Sequence, residues 1–260
     1  MKELFTTKNV GSTFDQKAQN WNNKKLFHTS IVGVTNRLIK ILPDILKPGM
    51  QVLDIGSGSG KIVRNIKKIC SKTEVFASEI SFNMLSDNSA ENLFLCDIQN
   101  MCFKDNMFDL VTSQQVIHHL PKPSIGLKEI HRVLKPNGLF LMLTVGNQYQ
   151  SNIFPYKQCH ITKDPLGRIT SQQLQKLHLE CNLKPIMLFE DFFDMHFNNS
   201  NDYFMFMSAI GAIDKIFKYK LYHLIDQEKR QKLSDKIACK TNNLRCINGH
   251  YITLLTQKIT

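Results

Sequence analysis

An apolar segment of this chain runs into a turn that has glycine at every second position. The segment reads Val52-Leu53-Asp54-Ile55-Gly56-Ser57-Gly58-Ser59-Gly60. Glycine adopts positive φ at little steric cost and lets a ligand approach the backbone amides at the start of the following helix. A strand, a glycine-rich turn and a helix in this order predict a nucleotide-like ligand. The dinucleotide fingerprint GxGxxG would require Gly or Ala at position 61, where this chain has Lys61.

Strand and helix signals alternate around this turn. We expect seven strands: Gln51–Ile55, Glu74–Ser78, Asn92–Cys96, Phe108–Ser113, Leu139–Val145, Pro185–Phe189 and Tyr251–Thr256. We expect helices between them: Lys61–Ile69, Phe82–Ser86, Ser124–Leu134 and Ser171–Cys181. Strands separated by helices imply a parallel sheet with crossover helices. The prediction is therefore an α/β fold, with a doubly wound, Rossmann-like, seven-stranded sheet and helices on both faces.

The same periodicities divide the chain into four parts. Residues 1–45 are expected to form an N-terminal helical cap and residues 46–193 the ligand-binding core. Apolar residues at spacings near three and four indicate a helical insertion within residues 194–247, and residues 248–260 carry the last strand. A lid over the sheet and an ordinary packing layer would both give this helical pattern, so both interpretations of the insertion stay open.

Composition limits the class of protein. With 260 residues, of which 42% are hydrophobic, and only 12 Gly and 8 Pro, the chain is typical of a globular domain. The net charge of +11 would suit nucleic acid, an acidic protein or an anionic small substrate. However, the lysines are spread along the chain with acids between them, so a solvated basic surface is the simplest interpretation.

Cysteine spacing and the N-terminus suggest a cytoplasmic protein without a bound metal. The seven cysteines form neither CxxC pairs nor a Cys-His ligand spacing, so reduced thiols are expected rather than a metal site. Residues 1–9 are polar and charged, unlike a secretion signal. No apolar stretch approaches the roughly 20 residues that a membrane-spanning helix requires.

The glycine-rich segment Asp54–Gly60 resembles motif I of class I S-adenosylmethionine-dependent methyltransferases of the type 11-like group. Further matches to this family follow in register: Val75–Ser81, Phe94–Ile98, Phe108–Leu120 and Arg132–Leu141. Phe14–Trp21 is similar to the start of methyltransferases whose N-terminal helix closes over the cofactor. The resemblance implies S-adenosylmethionine as the cofactor and methyl transfer as the activity.

The resemblance also implies the cofactor contacts. They are Asp54, Gly56, Ser57, Gly58, Gly60, Glu79, Ile80, Met84, Asp97, Ile98, Gln114, Gln115 and Trp21. Glu79, 19 residues after Gly60, would accept the ribose hydroxyls; Met84 would pack on adenine, and Asp97 would accept its amino group. Asp109, by contrast, opens a strand far from the ligand crevice and is expected to be structural.

His118 and His119 are the candidates for acid–base catalysis, because an imidazole can take up a proton near neutral pH. The family often has histidine here for packing and orientation, so both roles stay open. No metal ligand set is expected. Whether a base is needed depends on the acceptor: a carboxylate is already ionised at neutral pH, whereas an alcohol or phenol must lose a proton.

The C-terminal part resembles malonyl-carrier-protein methyl ester synthases and, more loosely, trans-aconitate methyltransferases. The matching segments are Asn201–Ala212 and Asn248–Tyr251. Both relatives methylate carboxylates, and an acidic carrier protein would suit a basic enzyme. The segment Asn147–Arg168 departs from the substrate loop of the malonyl-carrier-protein methyl ester synthases, so their malonate-binding arginine cannot be assigned here. Arg168 is a candidate for it, but a surface position is the preferred expectation.

The expected function is therefore methyl transfer to a small-molecule or carrier-linked acceptor, as an O-methylation of a carboxylate or hydroxyl. Methylation of RNA or protein is an alternative. The Pro-Pro-aromatic turn of base-amino methyltransferases is replaced by Ser113–Val116, which disfavours nucleic acid. A protein that binds S-adenosylmethionine without turnover is the other alternative.

Overall fold

The computed structural model describes residues 11–12, 14–15, 29–86, 88–148, 168–197, 228 and 246–259. Its helices are α1 (Thr29–Ile45), α2 (Lys61–Ile69), α3 (Phe82–Leu85), α4 (Pro123–Val133) and α5 (Ser171–Leu179), with a short 3-10 helix at Ile117–His119. Its strands are β1 (Gln51–Ile55), β2 (Glu74–Glu79), β3 (Asn92–Leu95), β4 (Phe108–Gln114), β5 (Leu134–Val145), β6 (Leu183–His196) and β7 (Cys246–Lys258).

All seven strands form one sheet, in the order β3-β2-β1-β4-β5-β7-β6. The pairs among β1 to β5 are parallel, whereas β7 is antiparallel to both β5 and β6. The strand order reverses between β2-β1 and β4, which opens a crevice at the carboxyl ends of β1 and β4. The predicted seven-stranded, doubly wound α/β fold is confirmed.

Helices cover both faces of the sheet and bury two apolar layers. On one face, α1 and α2 pack Leu38, Leu42 and Ile66 against the strands. On the other face, α4 and α5 bury Leu127 and Leu174. These layers exclude water from both sides of the central strands, which explains why β1 and β4 are buried along almost their whole length.

Three strands are longer than the sequence predicts by at least five residues each. β5 starts at Leu134 rather than at Leu139, β6 runs on to His196 rather than stopping at Phe189, and β7 starts at Cys246. The second half of β6 is stabilised by cross-strand pairing that ends at His196↔Cys246. Long-range pairing of this kind overrides the local pattern. Both strands therefore extend into the predicted insertion, whose remaining residues, apart from Phe197 and the helical residue 228, lie outside the described parts.

Asp109 lies at the end of the sheet away from the crevice. Its Oδ2 accepts hydrogen bonds from the backbone N–H of Gln51 and from Lys135 Nζ, both at 2.8 Å. The residue thus ties β4 to the start of β1 and to β5, as its predicted structural role requires.

In the described parts of the chain, no helix is long and apolar enough to cross a membrane.

Candidate functional site

The turn after β1 requires glycine at every second position. The φ angles of Gly56, Gly58 and Gly60 are 63°, 49° and 79°, in the left-handed region. A Cβ atom on Gly60 would lie 2.5 Å from Asn88 Oδ1, and one on Gly56 would lie 2.2 Å from Val116 Cγ2. The turn is therefore held close to its neighbours, and its peptides face the crevice at the start of α2.

Glu79, the last residue of β2, holds this turn from one side. Its Oε2 accepts the Gly58 N–H at 3.0 Å, and its Oε1 accepts the N–H groups of Ile80 and Ser81 at 2.8 and 3.2 Å. Burial raises the pKa of Glu79, and the three backbone hydrogen bonds oppose that increase. The structure thus brings the two sequence-predicted features, the glycine turn and the strand-end carboxylate, into direct contact.

Asn88 holds the turn from the other side, and the sequence did not single it out. Its Nδ2 donates to Ser57 Oγ at 2.9 Å and to the Gly58 carbonyl at 3.0 Å. Its Oδ1 accepts the N–H of Ala90 at 3.0 Å. Glu79 therefore holds the N–H of Gly58, and Asn88 holds its carbonyl. An Asn a few residues after α3 carries no local signal for such a contact, because the contact forms only when the chain folds back onto the turn.

Asp54 presents a buried carboxylate at the bottom of the crevice. Its Oδ1 accepts from Thr112 Oγ1 at 2.7 Å, and its Oδ2 has no hydrogen-bond partner among the described residues. Burial raises the pKa of Asp54 to about 7; the Thr112 hydrogen bond lowers it and the nearby Glu79 raises it. A buried acid with one unpaired oxygen is suited to a ligand that brings a donor or a positive charge.

The end of β4 adds a second unpaired group. Gln115 has a φ of 62°, which is uncommon for a residue other than glycine, and its backbone N–H donates to the Leu143 carbonyl at 2.8 Å. Its Nε2 is buried without a partner among the described residues, as is Ser113 Oγ. Strained backbone with unpaired polar groups is concentrated at functional sites. Gln114, the last strand residue, lies half-buried beside it.

His118 and His119 lie on the 3-10 helix that follows β4. His118 Nδ1 is 3.2 Å from Thr144 Oγ1 on β5, and the two imidazole rings are 4.0 Å apart between centroids. Both residues are half-buried. The ring of His119 also meets Phe14 edge to face at 5.2 Å. Both histidines therefore lie beside the carboxyl ends of β4 and β5, with His118 oriented by Thr144.

Residues 14 and 15 bridge two sides of the crevice. Asp15 Oδ1 accepts from Ser81 Oγ at 2.6 Å and from the N–H of Asn83 at 3.1 Å, at the start of α3. Phe14 contacts His119 on the opposite side. The sequence drew attention to the aromatic positions of this segment but not to Asp15. Trp21, the other aromatic position, lies outside the described residues.

The remaining predicted contacts line the β2 and β3 side. Met84 is buried, and its methyl group packs near Gly58. Ile80 follows Glu79 and contacts Gly11. Asp97 lies in the turn after β3, where its Oδ1 accepts the Gln99 N–H at 2.9 Å. Ile98 is buried beside α4.

Arg168 is buried rather than at the surface, which corrects the sequence-based expectation. Only 3% of the residue is exposed. The neighbouring Ile169 forms an isolated parallel bridge with Gly146, directly after β5, which draws Arg168 into the protein near the carboxyl edge of the sheet. The pattern around residue 168 predicts no strand, so this position could not be inferred locally.

Comparison with known proteins identifies the core. Residues 53–142 match the family described as Methyltransferase domain, Methyltransf_11. Residues 53–142 therefore form a methyltransferase domain. The matched residues run from β1 into β5, so this domain includes the glycine turn, Glu79, Asn88 and the two histidines.

A curated relative of the methyltransferase domain is the ubiquinone/menaquinone biosynthesis C-methyltransferase UbiE of Paraburkholderia xenovorans. It is 31% identical over 138 residues, which cover 46% of this chain and 57% of the relative. The chain spans about half the length of the curated relatives it matches.

Several solved structures share the fold of this chain at low sequence identity. Phosphoethanolamine N-methyltransferase 2 of Haemonchus contortus, in complex with S-adenosylhomocysteine, has a TM-score of 0.61 at 17% identity, covering 96% of this chain and 60% of that one. The [4+2]-cyclase SpnF has a TM-score of 0.62 at 16% identity, covering 97% of each chain. These similarities show the fold alone.

Proposed function

We propose that this chain binds S-adenosylmethionine at the carboxyl edge of the sheet and transfers its methyl group to a small organic acceptor. The observation that carries the proposal is a pair of buried polar groups, Asp54 Oδ2 near the end of β1 and Gln115 Nε2 directly after β4, neither of which has a hydrogen-bond partner among the described residues. A cradle of glycine peptides with unsatisfied polar groups fits a ligand rich in hydroxyl, amino and carboxylate groups.

Each end of the cofactor has suitable partners in this proposal. Asp54 and Gln115 would bind the methionyl part, which carries an ammonium and a carboxylate. Glu79 would accept the ribose hydroxyls, because its carboxylate oxygens retain acceptor capacity beyond the three backbone N–H groups. Asp97 and Ile98, in the turn after β3, would contact adenine with Met84.

When bound, S-adenosylmethionine supplies a methyl group on a positively charged sulfur that a nucleophile can displace. The residues of the chain would then hold the acceptor in line and exclude water. Phe14 and Asp15, which contact both sides of the crevice, would exclude water above the cofactor. His118, oriented by Thr144, would accept a proton from an acceptor that must lose one.

The acceptor atom distinguishes two forms of the proposal. An oxygen of a carboxylate or hydroxyl is the acceptor that the sequence predicts, on a free small molecule or a carrier-linked one. A ring carbon is the second candidate, because the UbiE relative is named a C-methyltransferase. A carboxylate needs no base, whereas a phenol or a carbon acid does.

Methyl-labelled S-adenosylmethionine, offered with panels of carboxylic acids, phenols and hydroquinones and with malonyl-carrier protein, tests the proposal. We expect label transfer to one class. For a phenol or carbon acceptor, His118→Asn should lower kcat by about 10²- to 10⁴-fold, whereas kcat for a carboxylate acceptor should not change. His131→Asn is the matched control, because His131 lies on α4 and contacts Ile259. Binding of the cofactor without transfer to any class would favour the non-catalytic alternative.

A further inference from the structure

Two cysteines flank the turn that follows β3. Cys96 is half-buried and Cys102 is exposed, and both are free thiols. The backbone N–H of Cys102 donates to Cys96 Sγ at 3.4 Å. The Cys96 thiol in turn lies 3.7 Å from the Asp97 carbonyl and 3.9 Å from the Asn100 carbonyl, as a weak donor. Three backbone groups of this turn, from Asp97, Asn100 and Cys102, therefore contact the Cys96 sulfur.

The two side chains are within reach of each other. A Cβ atom lies about 2.5 Å from its own backbone nitrogen. Because the Cys102 nitrogen is 3.4 Å from the Cys96 sulfur, the Cys102 Cβ lies within about 6 Å of that sulfur. In a disulfide that Cβ lies about 3 Å from the partner sulfur, so a shift of at most about 3 Å within this short turn closes the bond.

We propose that Cys96 and Cys102 form a reversible disulfide, and that its formation weakens binding at the adenine end of the cofactor site. The second part rests on the proposed function, because Asp97 and Ile98, both inside the ring that the disulfide would close, are proposed adenine contacts. The turn is anchored at its far side, where the Met101 N–H donates to Glu129 Oε2 at 2.8 Å. Closure would therefore act on the segment between Cys96 and Met101.

The difference in exposure between the two thiols indicates which of them reacts first. Cys102 can meet a reagent in solution, whereas burial raises the pKa of Cys96 to about 11. The thiolate is the attacking species, so Cys102 reacts first and Cys96 resolves.

The oxidant is a small disulfide such as oxidised glutathione. The Cys102 thiolate attacks one glutathione sulfur, which forms a mixed disulfide and releases one glutathione thiolate. The Cys96 sulfur, on losing its proton, then attacks the Cys102 sulfur and releases the second glutathione. The two protein thiols lose two electrons and two protons, and one oxidised glutathione becomes two reduced ones.

Disulfide formation changes the contacts that shape the turn. It removes the Cys96 S–H, which is the weak donor to the Asp97 and Asn100 carbonyls. It also rotates the Cys96 sulfur towards Cys102 Sγ, so that the sulfur no longer accepts the Cys102 N–H. Asp97 then leaves the position set by the Gln99 N–H. We expect affinity for S-adenosylhomocysteine to fall by about tenfold, the scale of one lost hydrogen bond to a ligand.

Peptide mapping tests the disulfide without any cofactor. Trypsin releases residues 73–104 as one peptide that contains Cys96 and Cys102 and no other cysteine. After treatment with oxidised glutathione, this peptide should be lighter by two hydrogens and should take up no alkylating reagent, and dithiothreitol should reverse both changes. A peptide that remains fully alkylated, or carries glutathione without ring closure, would overturn the proposal.

Calorimetry with S-adenosylhomocysteine on the reduced and oxidised protein tests the consequence. Cys102→Ser should bind like the reduced wild type and should not respond to oxidised glutathione. Cys70→Ser, which removes a half-buried cysteine outside the turn, should respond like the wild type. Ring closure with unchanged affinity would overturn the proposal. If the reduced protein binds no S-adenosylhomocysteine, that result would instead contradict the proposed function. The mass of the tryptic peptide would still show whether the disulfide forms.

Discussion

The contact between Gly60 and Asn88 shows how single atoms set the shape of the site. Gly60 has no room for a Cβ because Asn88 Oδ1 would lie 2.5 Å away, and Asn88 in turn holds Ser57 and Gly58. The sequence identifies Gly60 and Glu79, because a glycine turn and a strand-end carboxylate have recognisable positions. It does not identify Asn88 or Asp15, because their partners are distant in the chain and their own neighbourhoods carry no pattern.

Gly60→Ala should lower affinity for S-adenosylmethionine by at least about tenfold, because its Cβ displaces Asn88 and with it the peptide of Gly58. Gly49→Ala is a matched control. The φ angles of Gly49 and Gly60 are similar, 83° and 79°, so both variants carry the same left-handed strain of about 1 kcal/mol. Among the described residues, and apart from the two that adjoin Gly49 in the chain, no atom lies within 4 Å of a Cβ at this position. Equal affinities for the two variants, measured by calorimetry, would refute the role of this contact.

Asp54 should make the free protein less stable as pH rises towards neutrality. Its folded pKa, about 7, is above the value of an unfolded aspartate because the carboxylate is buried. Its contribution to stability is therefore fully present below the unfolded pKa, near 4, and is lost as pH rises through about 7. Urea unfolding should show that Asp54→Asn gains stability relative to wild type over this range, by up to a few kcal/mol.

The same residue links cofactor binding to protons. A positively charged ligand favours the ionised carboxylate, so binding below about pH 7 should release a proton, and affinity should rise with pH up to that point. Calorimetry in two buffers of different ionisation enthalpy counts the proton. Proton release that persists in Asp54→Asn would show that another group is responsible.

Among the elements, α1 and β6 illustrate a contact that local pattern does not predict. The apolar spacing of residues 29–42 predicts the helix, and the structure confirms it as α1. Its partner lies on β6: Arg37 makes a bidentate ion pair with Asp191 and stacks 4.9 Å above the centre of the Phe189 ring. The two residues are 154 positions apart, and β6 was predicted to end before Asp191, so the pair could not be inferred.

A double-mutant cycle with Arg37→Met and Asp191→Asn should measure a coupling free energy of about 1 kcal/mol. This is the upper range for an exposed pair, because the geometry is bidentate while 38% of the Arg37 side chain is exposed to screening solvent. The free energy of unfolding in urea provides each corner of the cycle. We expect the coupling to shrink at high salt. Additive single mutants would show that α1 is held on β6 by apolar packing alone.

In the molecule as a whole, the order of strands in the sheet determines where a ligand can bind, whereas the side chains at that place determine which ligand binds. The turn after β1, the end of β2 and the end of β4 converge only because β1 is flanked by β2 and β4. The alternation of strands and helices made this convergence predictable from sequence. An N-methyltransferase and a [4+2]-cyclase share the fold, so the fold alone does not determine the chemistry; we propose that His118, Thr144 and Gln115 contribute to it here.

Calorimetric titration of the purified protein with S-adenosylmethionine and S-adenosylhomocysteine tests directly whether the chain binds this cofactor. We expect both compounds to bind with dissociation constants on the order of micromolar, and Glu79→Ala to weaken binding by about 1–3 kcal/mol. Three features lead to this expectation: the glycine turn, the Glu79 carboxylate and the Asp54 oxygen that has no partner among the described residues. The absence of binding for both compounds, in protein whose thermal unfolding is cooperative, would contradict it.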